Sequence, residues 1–346
     1  MSSLNHRSEI LFVTDASDCN PNGNPKAGNK PRLDPKTGQA IITDVRLKRY
    51  LRDQLQDDGH GILVKRTGDD TPLTQAEVAL EAFSEIESVE DVEAVDSIRD
   101  EFVNRLADVR YFGAVLSFVK SNHDDVYQAI LERFPRSFTG PVQFSPARSL
   151  NEVELNEGFD TLTSIMATQE GKSAGAFGLG DYRIAYGVFP FTGIVDPQRA
   201  RETNLSEEDV RRLDTLCWRA IKNQTVSRSK FGQEPQLYLR VEYTHPEFHI
   251  GRLDELLKLT PTTDETIRSP SDYHLNIEKL VSVLTEYEGM IEAAYCVGSP
   301  RITLRTDDSV LGSAANLADI LTEQCGIETV GIDVYEEYST SLPDRE

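Results

Sequence analysis

The sequence Asn20-Pro-Asn-Gly-Asn-Pro25, followed along the chain by Thr43-Asp-Val-Arg-Leu-Lys-Arg-Tyr-Leu-Arg52, predicts a long loop that leads into a basic helix. A strand signal, Glu9-Ile-Leu-Phe-Val-Thr14, precedes the loop and is rich in β-branched and large apolar residues. The loop cannot be helix or central strand, because proline lacks a backbone N–H and the glycines mark turns. The fold therefore begins as strand, loop and helix.

The predicted helix has two chemically different sides. Thr43 or Asp44 supplies the oxygen that caps its N-terminus. At 100° per residue, the apolar side holds Leu47, Tyr50, Leu51 and Leu55, and the other side holds Arg46, Lys48, Arg49 and Arg52. We expect the apolar side to pack on a sheet and the basic side to stay open. The alternative is an ordinary solvated charged face.

The distribution of charge makes this basic region informative. The chain has 36 Lys+Arg against 58 Asp+Glu, a formal net charge of −22. Between residues 20 and 40, however, the only acid is Asp34, and the bases are Lys26, Lys30, Arg32 and Lys36. Residues 67 to 101, in contrast, hold twelve acids and only Arg99. A local excess of base in so acidic a chain favours a surface that binds a polyanion.

The acidity and the preference for arginine over lysine indicate adaptation to high internal salt. Because the Debye length at molar salt is only about 3 Å, contacts to phosphates must then be close. Stacking and amide hydrogen bonds should then contribute more to binding than long-range attraction between charges.

Composition also limits the class of protein. No apolar run approaches the roughly 20 residues of a membrane span, and the N-terminal residues do not look like a signal peptide, so we expect a cytoplasmic protein without a membrane partner. The cysteines are widely spaced, which favours reduced thiols over disulfides or a zinc site; they are Cys19, Cys217, Cys296 and Cys325. No cofactor and no metal are predicted.

Later segments repeat the pattern of strand and helix. Residues 181–195 predict a strand, residues 206–222 a helix with acids in its first turn, and residues 236–243 another strand. With a strand in 138–150, the order is that of the ferredoxin-like fold, which RNA recognition motifs share.

The sequence thus predicts an α+β protein, a ferredoxin-like palm resembling an RNA recognition motif. The palm comprises residues 1–59 and 139–250. Residues 60–138 form an inserted helical subdomain. Residues 251–346 form an α/β extension that packs on the palm. Glycines between residues 171 and 180 suggest a mobile hairpin, or thumb, within about residues 151–180.

Residues 108–116 are predicted as a strand or a turn before a buried segment. Arg110-Tyr-Phe-Gly113, at the start of this region, weakly matches an aromatic RNA-stacking strand, but Tyr111 and Phe112 fit core packing as well or better.

Several motifs together resemble the CRISPR-associated Cas-seven family, Csh-two type. They are Ser8-Glu-Ile-Leu-Phe12, Asn20-Pro-Asn-Gly-Asn-Pro25, Thr43-Asp-Val-Arg-Leu-Lys-Arg49, Arg110-Tyr-Phe-Gly113, Thr139-Gly-Pro-Val-Gln-Phe-Ser145 and Gly175-Ala-Phe-Gly178 before an aromatic strand. They occur in family order over roughly residues 8 to 245.

This resemblance implies a non-catalytic backbone subunit of type I-B Cascade. Its partners would be the CRISPR guide RNA (crRNA), target DNA through that RNA, other copies of itself and other Cascade subunits. A guide must keep its base edges free, so the protein should hold phosphates and sugars. The expected RNA contacts are Asn20, Asn22, Asn24, Lys26, Lys30, Arg32, Arg46, Lys48, Arg49, Arg52, Gln143, Ser145, Arg148, Lys172, Phe177, Arg228 and Lys230. In the thumb, Met166, Leu162 or Phe177 would cover a displaced base, unless they only pack the hairpin.

Two other functions are weighed against RNA binding. Related type III backbone proteins cleave RNA with a loop aspartate, and Asp15, Asp18 and Asp34 lie in or beside the loop, although such residues more often form turns. The second alternative is a salt-adapted metabolic enzyme. His245 and His249 would be its metal ligands, but Pro246 opposes helical spacing and no third ligand is evident.

Overall fold

The computed structural model describes residues 4–65, 83, 85–115, 125–134, 137–156, 161–165, 175–179, 181–225, 227, 229–263 and 265–335. The strands are β1 Ser8–Cys19, β2 Gly23–Asn24, β3 Lys30–Pro31, β4 Ile41–Ile42, β5 Gly113–Val115, β6 Ser137–Thr139, β7 Val142–Phe144, β8 Ala147–Arg148, β9 Leu155–Asn156, β10 Thr161–Ile165, β11 Gly175–Leu179, β12 Arg183–Val195, β13 Gln233–Tyr243, β14 Lys258–Pro261, β15 Tyr273–Asn276, β16 Ile291–Gly298, β17 Thr303–Arg305, β18 Val310–Ser313 and β19 Thr329–Gly331.

The α-helices are α1 Asp44–Asp57, α2 Val89–Ala94, α3 Ile98–Arg105, α4 Ala107–Phe112, α5 Asp125–Arg133, α6 Pro197–Thr203, α7 Glu207–Lys222, α8 Glu278–Glu286 and α9 Leu317–Cys325. Short 3-10 turns occupy Pro25–Ala27, Leu253–Leu256, Pro270–Asp272, Glu288–Met290 and Ala314–Asn316. Among the described residues, no helix is both long and apolar enough to span a membrane.

The largest sheet has the strand order β19-β16-β13-β1-β12-β7, and β9 also pairs with β12. Adjacent strands in this sheet are antiparallel, except that β16 and β19 are parallel to each other, so the sheet is mixed. Strand β1 lies inside the sheet and is buried on both faces, which explains its continuous apolar run Ile10-Leu-Phe-Val13.

Helices α1 and α7 cover one face of this sheet. Leu47 and Leu51 of α1 share a core with Leu213 of α7 and with Ile10 and Phe12 of β1. The amphipathic pattern of α1 therefore orients it as the sequence predicted, with its leucines on the sheet.

The C-terminal elements cover the opposite face. Leu280 of α8 and Leu317 of α9 pack in a second core with Leu11 and Val13 of β1 and Leu237 of β13. The C-terminal residues also add β16 and β19 to the sheet itself, and a separate sheet has the order β14-β15-β17-β18. Both faces at the centre of the large sheet are consequently closed.

The helices between α1 and β6 form a third core of their own. Phe102 of α3 meets Phe134 edge to face with ring centroids 4.6 Å apart, and Phe83, Val92 and Ile130 belong to the same cluster. Strands β5 and β6 pair with each other at the end of this region, and we call this pair its base.

Two glycines allow two backbone segments to approach each other closely at this base. A Cβ on Gly113, where φ is +72°, would lie 2.2 Å from the carbonyl oxygen of Phe138, and one on Gly140 would lie 2.0 Å from the carbonyl carbon of Phe112. The glycines of the motifs Arg110-Tyr-Phe-Gly113 and Thr139-Gly-Pro141 thus serve a close backbone approach.

The structure differs from the sequence-based expectations in three places. Strand β1 continues to Cys19, beyond the predicted end of the strand at Thr14, and reaches the start of the predicted loop at Asn20. The region 108–116 was predicted as strand or turn, but helix α4 ends only at Phe112, and Tyr111 and Phe112 are buried. The single strand predicted in 138–150 is divided into β6, β7 and β8, which pair with different partners, because Pro141 and Pro146 interrupt it.

Candidate nucleic-acid interface

The loop between β1 and α1 is ordered by its own asparagines. Asn20 donates from Nδ2 to the carbonyl oxygen of Asn29 over 2.7 Å, and the Asn22 Oδ1 accepts from the Thr43 hydroxyl over 3.0 Å. Asn24 caps the 3-10 turn by accepting from the Lys26 N–H. Asn20 and Asn22 are buried, so the structure places two of the predicted RNA contacts inside the loop.

Three of the four basic residues on α1 have partners within the protein. Lys48 donates to Gln143 Oε1 over 2.7 Å and lies 3.7 Å from an Asp44 oxygen. Arg49 pairs with Asp53 at 2.5 Å.

Arg52 pairs with the buried Asp108 at 3.1 Å, across the base of the inserted helices. The expectation of an open basic side was therefore wrong for Lys48, Arg49 and Arg52, because their side chains turn towards acids and towards neighbouring elements.

Arg46 differs from its three neighbours, since it forms no ion pair with any described residue. Its guanidinium lies 5.7 Å from the centroid of the Tyr50 ring. The Tyr50 hydroxyl donates to the carbonyl oxygen of Pro21 over 2.9 Å, which ties α1 to the start of the loop. Arg46 and Lys230 together line a cleft of about 260 Å³, which we call the basic cleft; its lining comprises Arg46, Tyr50, Asp53, Gln54, Asp57, Asn223, Gln224, Ser227 and Lys230.

Lys230 is held against the loop, where its ammonium donates to the carbonyl oxygen of Asn20. Burial, and then the positive charge of Arg46, lower the pKa of Lys230 from 10.5 to about 8. Neither cation forms an ion pair with a described acid, although Asp53 and Asp57 also line the cleft. An anion would stabilise two cations so close together.

Further positive charge lies along the loop. Lys26 is exposed, and the Lys30 ammonium lies 4.2 Å from the centroid of the Tyr182 ring. Arg32 is half-buried. None of these three cations is ion-paired within the described part of the chain, so they extend the basic surface from the basic cleft along the loop.

The predicted contacts on β7 and β8 are engaged with neighbouring elements. Gln143 accepts from Lys48, and the hydroxyl groups of Ser145 and Thr192 are 2.6 Å apart. Arg148 is exposed and pairs with Asp34 at 2.6 Å.

The predicted thumb contacts are only partly covered by the structure. Strands β10 and β11 pair as an antiparallel hairpin, in which Leu162 is opposite Gly178 and Phe177 is opposite Thr163. Met166, Lys172 and Arg228 lie outside the described residues.

The three aspartates considered for RNA cleavage lie in different environments. Asp15 lies within β1 and is buried, where its Oδ2 accepts from the Tyr186 hydroxyl over 2.7 Å and from Gln236 Nε2 over 2.8 Å. Burial raises the pKa of Asp15 from 3.8 to about 6. Asp18 is exposed in a left-handed conformation.

The main-chain N–H of Lys36 and the guanidinium of Arg148 lower the pKa of Asp34, which fits a turn residue. His245 accepts from the N–H of Glu247, and no group of three potential metal ligands occurs among the described residues. All four cysteines are free and buried.

We expect Asp15→Asn to stabilise the protein at neutral pH. Because the folded-state pKa of Asp15 is raised, its contribution to stability is present below about pH 4 and is lost as the pH rises through about 6. The variant should gain about 2–3 kcal/mol over wild type at pH 7 and little at pH 4, measured by chemical denaturation. A pH-independent difference between the two proteins would contradict this assignment.

Sequence reasoning missed the aromatic ring beside Lys30 and the amide side chains that line the basic cleft. Tyr182 is far from Lys30 in sequence, and Asn223 and Gln224 follow α7 without any motif. The sequence carried no signal for this arrangement, because it depends on how the strands pair.

Comparisons with known proteins give matches to a family, to a relative and to solved chains. The family described as CRISPR-associated protein Cas7 matches residues 6–278. A relative from Haloferax volcanii, "CRISPR-associated protein Cas7", is 49% identical over 314 residues, which are 90% of this chain and 92% of the relative. Two solved chains, "CRISPR RNA-guided surveillance complex, pre-nicking" and "CRISPR RNA-guided surveillance complex", are each 13% identical, with TM-scores of 0.49 and 0.47. The matches cover 97% of this chain and 99% and 98% of theirs.

Proposed function

Because this chain belongs to the CRISPR-associated Cas7 family, we propose that it binds a CRISPR guide RNA as a non-catalytic backbone subunit of a type I-B Cascade surveillance complex. The observation that carries the proposal is the basic cleft, where Arg46 and Lys230 lie together and form no ion pair with a described acid, although Asp53 and Asp57 line the same cleft. In a protein of net charge −22, such a pair is best satisfied by phosphate.

The strand order supports a ferredoxin-like palm. Taking β1, α1, β7, β12, α7 and β13 as the β-α-β-β-α-β unit gives the spatial order β13-β1-β12-β7, or fourth, first, third and second strand. An RNA recognition motif stacks bases on its open sheet face. Here the C-terminal elements occupy the face opposite the helices, so we assign the RNA to the loop side of the palm.

The RNA would run from the basic cleft along the cations of the loop. Arg46 and Lys230 would hold phosphates, and Lys26, Lys30 and Arg32 would continue this path. Lys48, Arg49 and Arg52 would contact the RNA only after each has left its acid partner. Such backbone contacts leave the guide bases free for pairing with target DNA.

The remaining parts of the proposal concern assembly. We assign the hairpin of β10 and β11 to a thumb that contacts the next copy along the RNA, with other Cascade subunits at the ends of the row. We place the protein in the cytoplasm of a salt-adapted cell, consistent with its acidic composition and with a relative from Haloferax volcanii.

A titration of single-stranded RNA at pH 7 and pH 9 tests this function. The wild-type protein should bind at pH 7 and more weakly at pH 9, since Lys230, with a pKa near 8, loses its charge as the pH rises. Loss of one charged contact corresponds to about tenfold in affinity. A bound phosphate raises the lysine pKa, so the midpoint should lie above 8.

Lys230→Arg is the matched control, because arginine stays charged across this range. It should bind RNA at both pH values with little change. Absence of RNA binding by the wild type at pH 7 would contradict the proposed function, and an equal pH dependence in Lys230→Arg would remove Lys230 from the site.

A further inference from the structure

Two buried side chains, Tyr50 and Gln233, lie beside the cations of the basic cleft. Tyr50 belongs to α1, and Gln233 is the first residue of β13. Burial raises the pKa of Tyr50 to about 12, so both side chains are uncharged at neutral pH. Any effect of these two residues on the binding of an anion must therefore act through the residues that they contact.

The amide of Gln233 joins Tyr50 to Lys230. Its Nε2 donates to the Tyr50 hydroxyl over 3.1 Å and to the carbonyl oxygen of Lys230 over 3.0 Å. A glutamine amide has two N–H donors, so both are used by these bonds. The residue itself is paired with Ala16 of β1, which fixes its place in the sheet. Lys230 is therefore held from the sheet through its own main chain.

The hydroxyl and the ring of Tyr50 make separate contacts. The hydroxyl accepts from Gln233 and donates its one hydrogen to the carbonyl oxygen of Pro21 over 2.9 Å. The guanidinium of Arg46 lies over the ring, 5.7 Å from its centroid. Tyr50 thus connects Arg46 and the start of the loop to the amide that holds Lys230.

Lys230 is held at both ends of the residue. Its ammonium donates to the carbonyl oxygen of Asn20, and its own carbonyl oxygen accepts from Gln233. The N–H of Asn20 in turn donates to the carbonyl oxygen of Ser229 over 2.8 Å. The two cations of the basic cleft consequently belong to one network of contacts that includes the end of β1, α1 and the start of β13.

We propose that Tyr50 and Gln233 are positioning residues, which hold Arg46 and Lys230 at a separation suited to the phosphates of one RNA strand. This role rests on the proposed function. Two like charges repel each other, so Arg46 and Lys230 would move apart into water if no contacts held them. Holding them in place before binding lowers the conformational entropy that is lost when the phosphates arrive.

Gln233→Leu tests this role, because it removes both donors without changing any charge. The variant should bind single-stranded RNA about tenfold more weakly, the size of one lost charge-assisted contact. The dependence of log affinity on log salt should also become shallower by about one unit, since Lys230 no longer meets a phosphate. A residue that only stabilises the fold would leave this slope unchanged. Fluorescence anisotropy at several salt concentrations measures both quantities.

Two further variants separate positioning from folding. Tyr50→Phe keeps the ring beside Arg46 and removes the hydroxyl, and it should weaken RNA binding about threefold, the size of one neutral hydrogen bond. In a protein that already carries Lys230→Ala, Gln233→Leu should cause no further loss of affinity, because its effect acts through Lys230. Additive losses in that double variant would contradict the positioning role.

Gln236→Leu is the matched control. Gln236 is another buried glutamine of β13, but its Nε2 donates to Asp15 over 2.8 Å, and it does not line the basic cleft. This variant should keep the RNA affinity and the salt slope of the wild type. Equal changes in Gln233→Leu and Gln236→Leu would assign the effect to lost stability and would overturn the positioning role.

An NMR titration of labelled lysine side chains gives a readout that needs no RNA. Burial, and then Arg46, lower the pKa of Lys230 from 10.5 to about 8. The charged and titratable groups around its ammonium are Arg46, Asp53 and Asp57 on α1 and Cys19 on β1. In Gln233→Leu, Lys230 should move into water and away from Arg46, so its pKa should rise towards 10.5. In Gln236→Leu the pKa of Lys230 should stay near 8.

Failure of the positioning role is separate from failure of the proposed function. If the wild type binds RNA, but Gln233→Leu keeps its affinity and salt slope, the positioning role is overturned and the RNA-binding role stands. An unchanged pKa of Lys230 in Gln233→Leu also overturns the positioning role. If the wild type binds no RNA, but the pKa of Lys230 rises in Gln233→Leu alone, the proposed function is overturned and the hold of Gln233 on Lys230 stands.

Discussion

Reversing Arg46 and Lys230 to glutamate together is expected to weaken binding of single-stranded RNA by about a hundredfold. Each residue supplies one charge-assisted contact to phosphate, worth about 1.5 kcal/mol, and the two losses act on the same part of the strand. The salt dependence of the affinity should also become shallower, by about one unit of slope for each lost contact. Fluorescence anisotropy with a labelled RNA at several salt concentrations measures both quantities.

Arg252→Glu with Lys258→Glu is the matched control for this pair. It makes the same change in net charge on exposed residues of the C-terminal part. If the control lowered RNA affinity as much as Arg46→Glu with Lys230→Glu, binding would depend on overall charge and not on the basic cleft. The comparison should be made at the highest salt at which wild type binds, where long-range attraction is screened.

Replacing Arg240 by methionine is expected to destabilise the protein by about 3–5 kcal/mol. Arg240 is 2% exposed and makes two contacts with Asp214, at 2.7 and 2.9 Å, and one with Glu242 at 2.9 Å. The variant leaves Asp214 buried, with the Tyr238 hydroxyl, at 2.7 Å, as its remaining hydrogen-bond donor among the described residues. Most of the cost arises from that uncompensated charge, and chemical denaturation measures it.

Arg252→Met is the control for the effect of burial on an ion pair. Arg252 contacts Asp254 and Glu255 but is 68% exposed, so its removal should change stability by less than about 1 kcal/mol. Equal losses in the two variants would contradict the distinction between buried and solvated pairs. The buried pair should also be the less sensitive of the two to added salt.

The sequence predicted the parts of the fold that depend on local pattern. The leucines of α1, the acids and serine cap of α7, and the apolar runs of β1 and β12 each indicate both the element and its buried side. An α/β extension packed on the palm was predicted for residues 251–346, but the sheet face that α8 and α9 cover was not, because it depends on which strands join the sheet.

The site could be predicted as a region but not residue by residue. A helical wheel places Arg46 and Arg52 on the same side, yet Arg52 meets Asp108 and Arg46 meets no described acid. That difference depends on the position of the inserted helices and not on α1. Likewise Asp15 was predicted to lie in or beside the loop, whereas the pairing of β1 with β12 and β13 continues past it and buries the carboxyl group.

The nucleic acid that accompanies the purified protein tests the central claim most directly. Wild-type protein and Arg46→Glu with Lys230→Glu should be purified in parallel at high salt, and the RNA extracted from each should be quantified against protein. We expect short RNA with the wild type and little or none with the variant, both proteins being equally folded. Wild-type protein free of RNA, or equal RNA on both proteins, would contradict the claim that this surface grips a guide RNA.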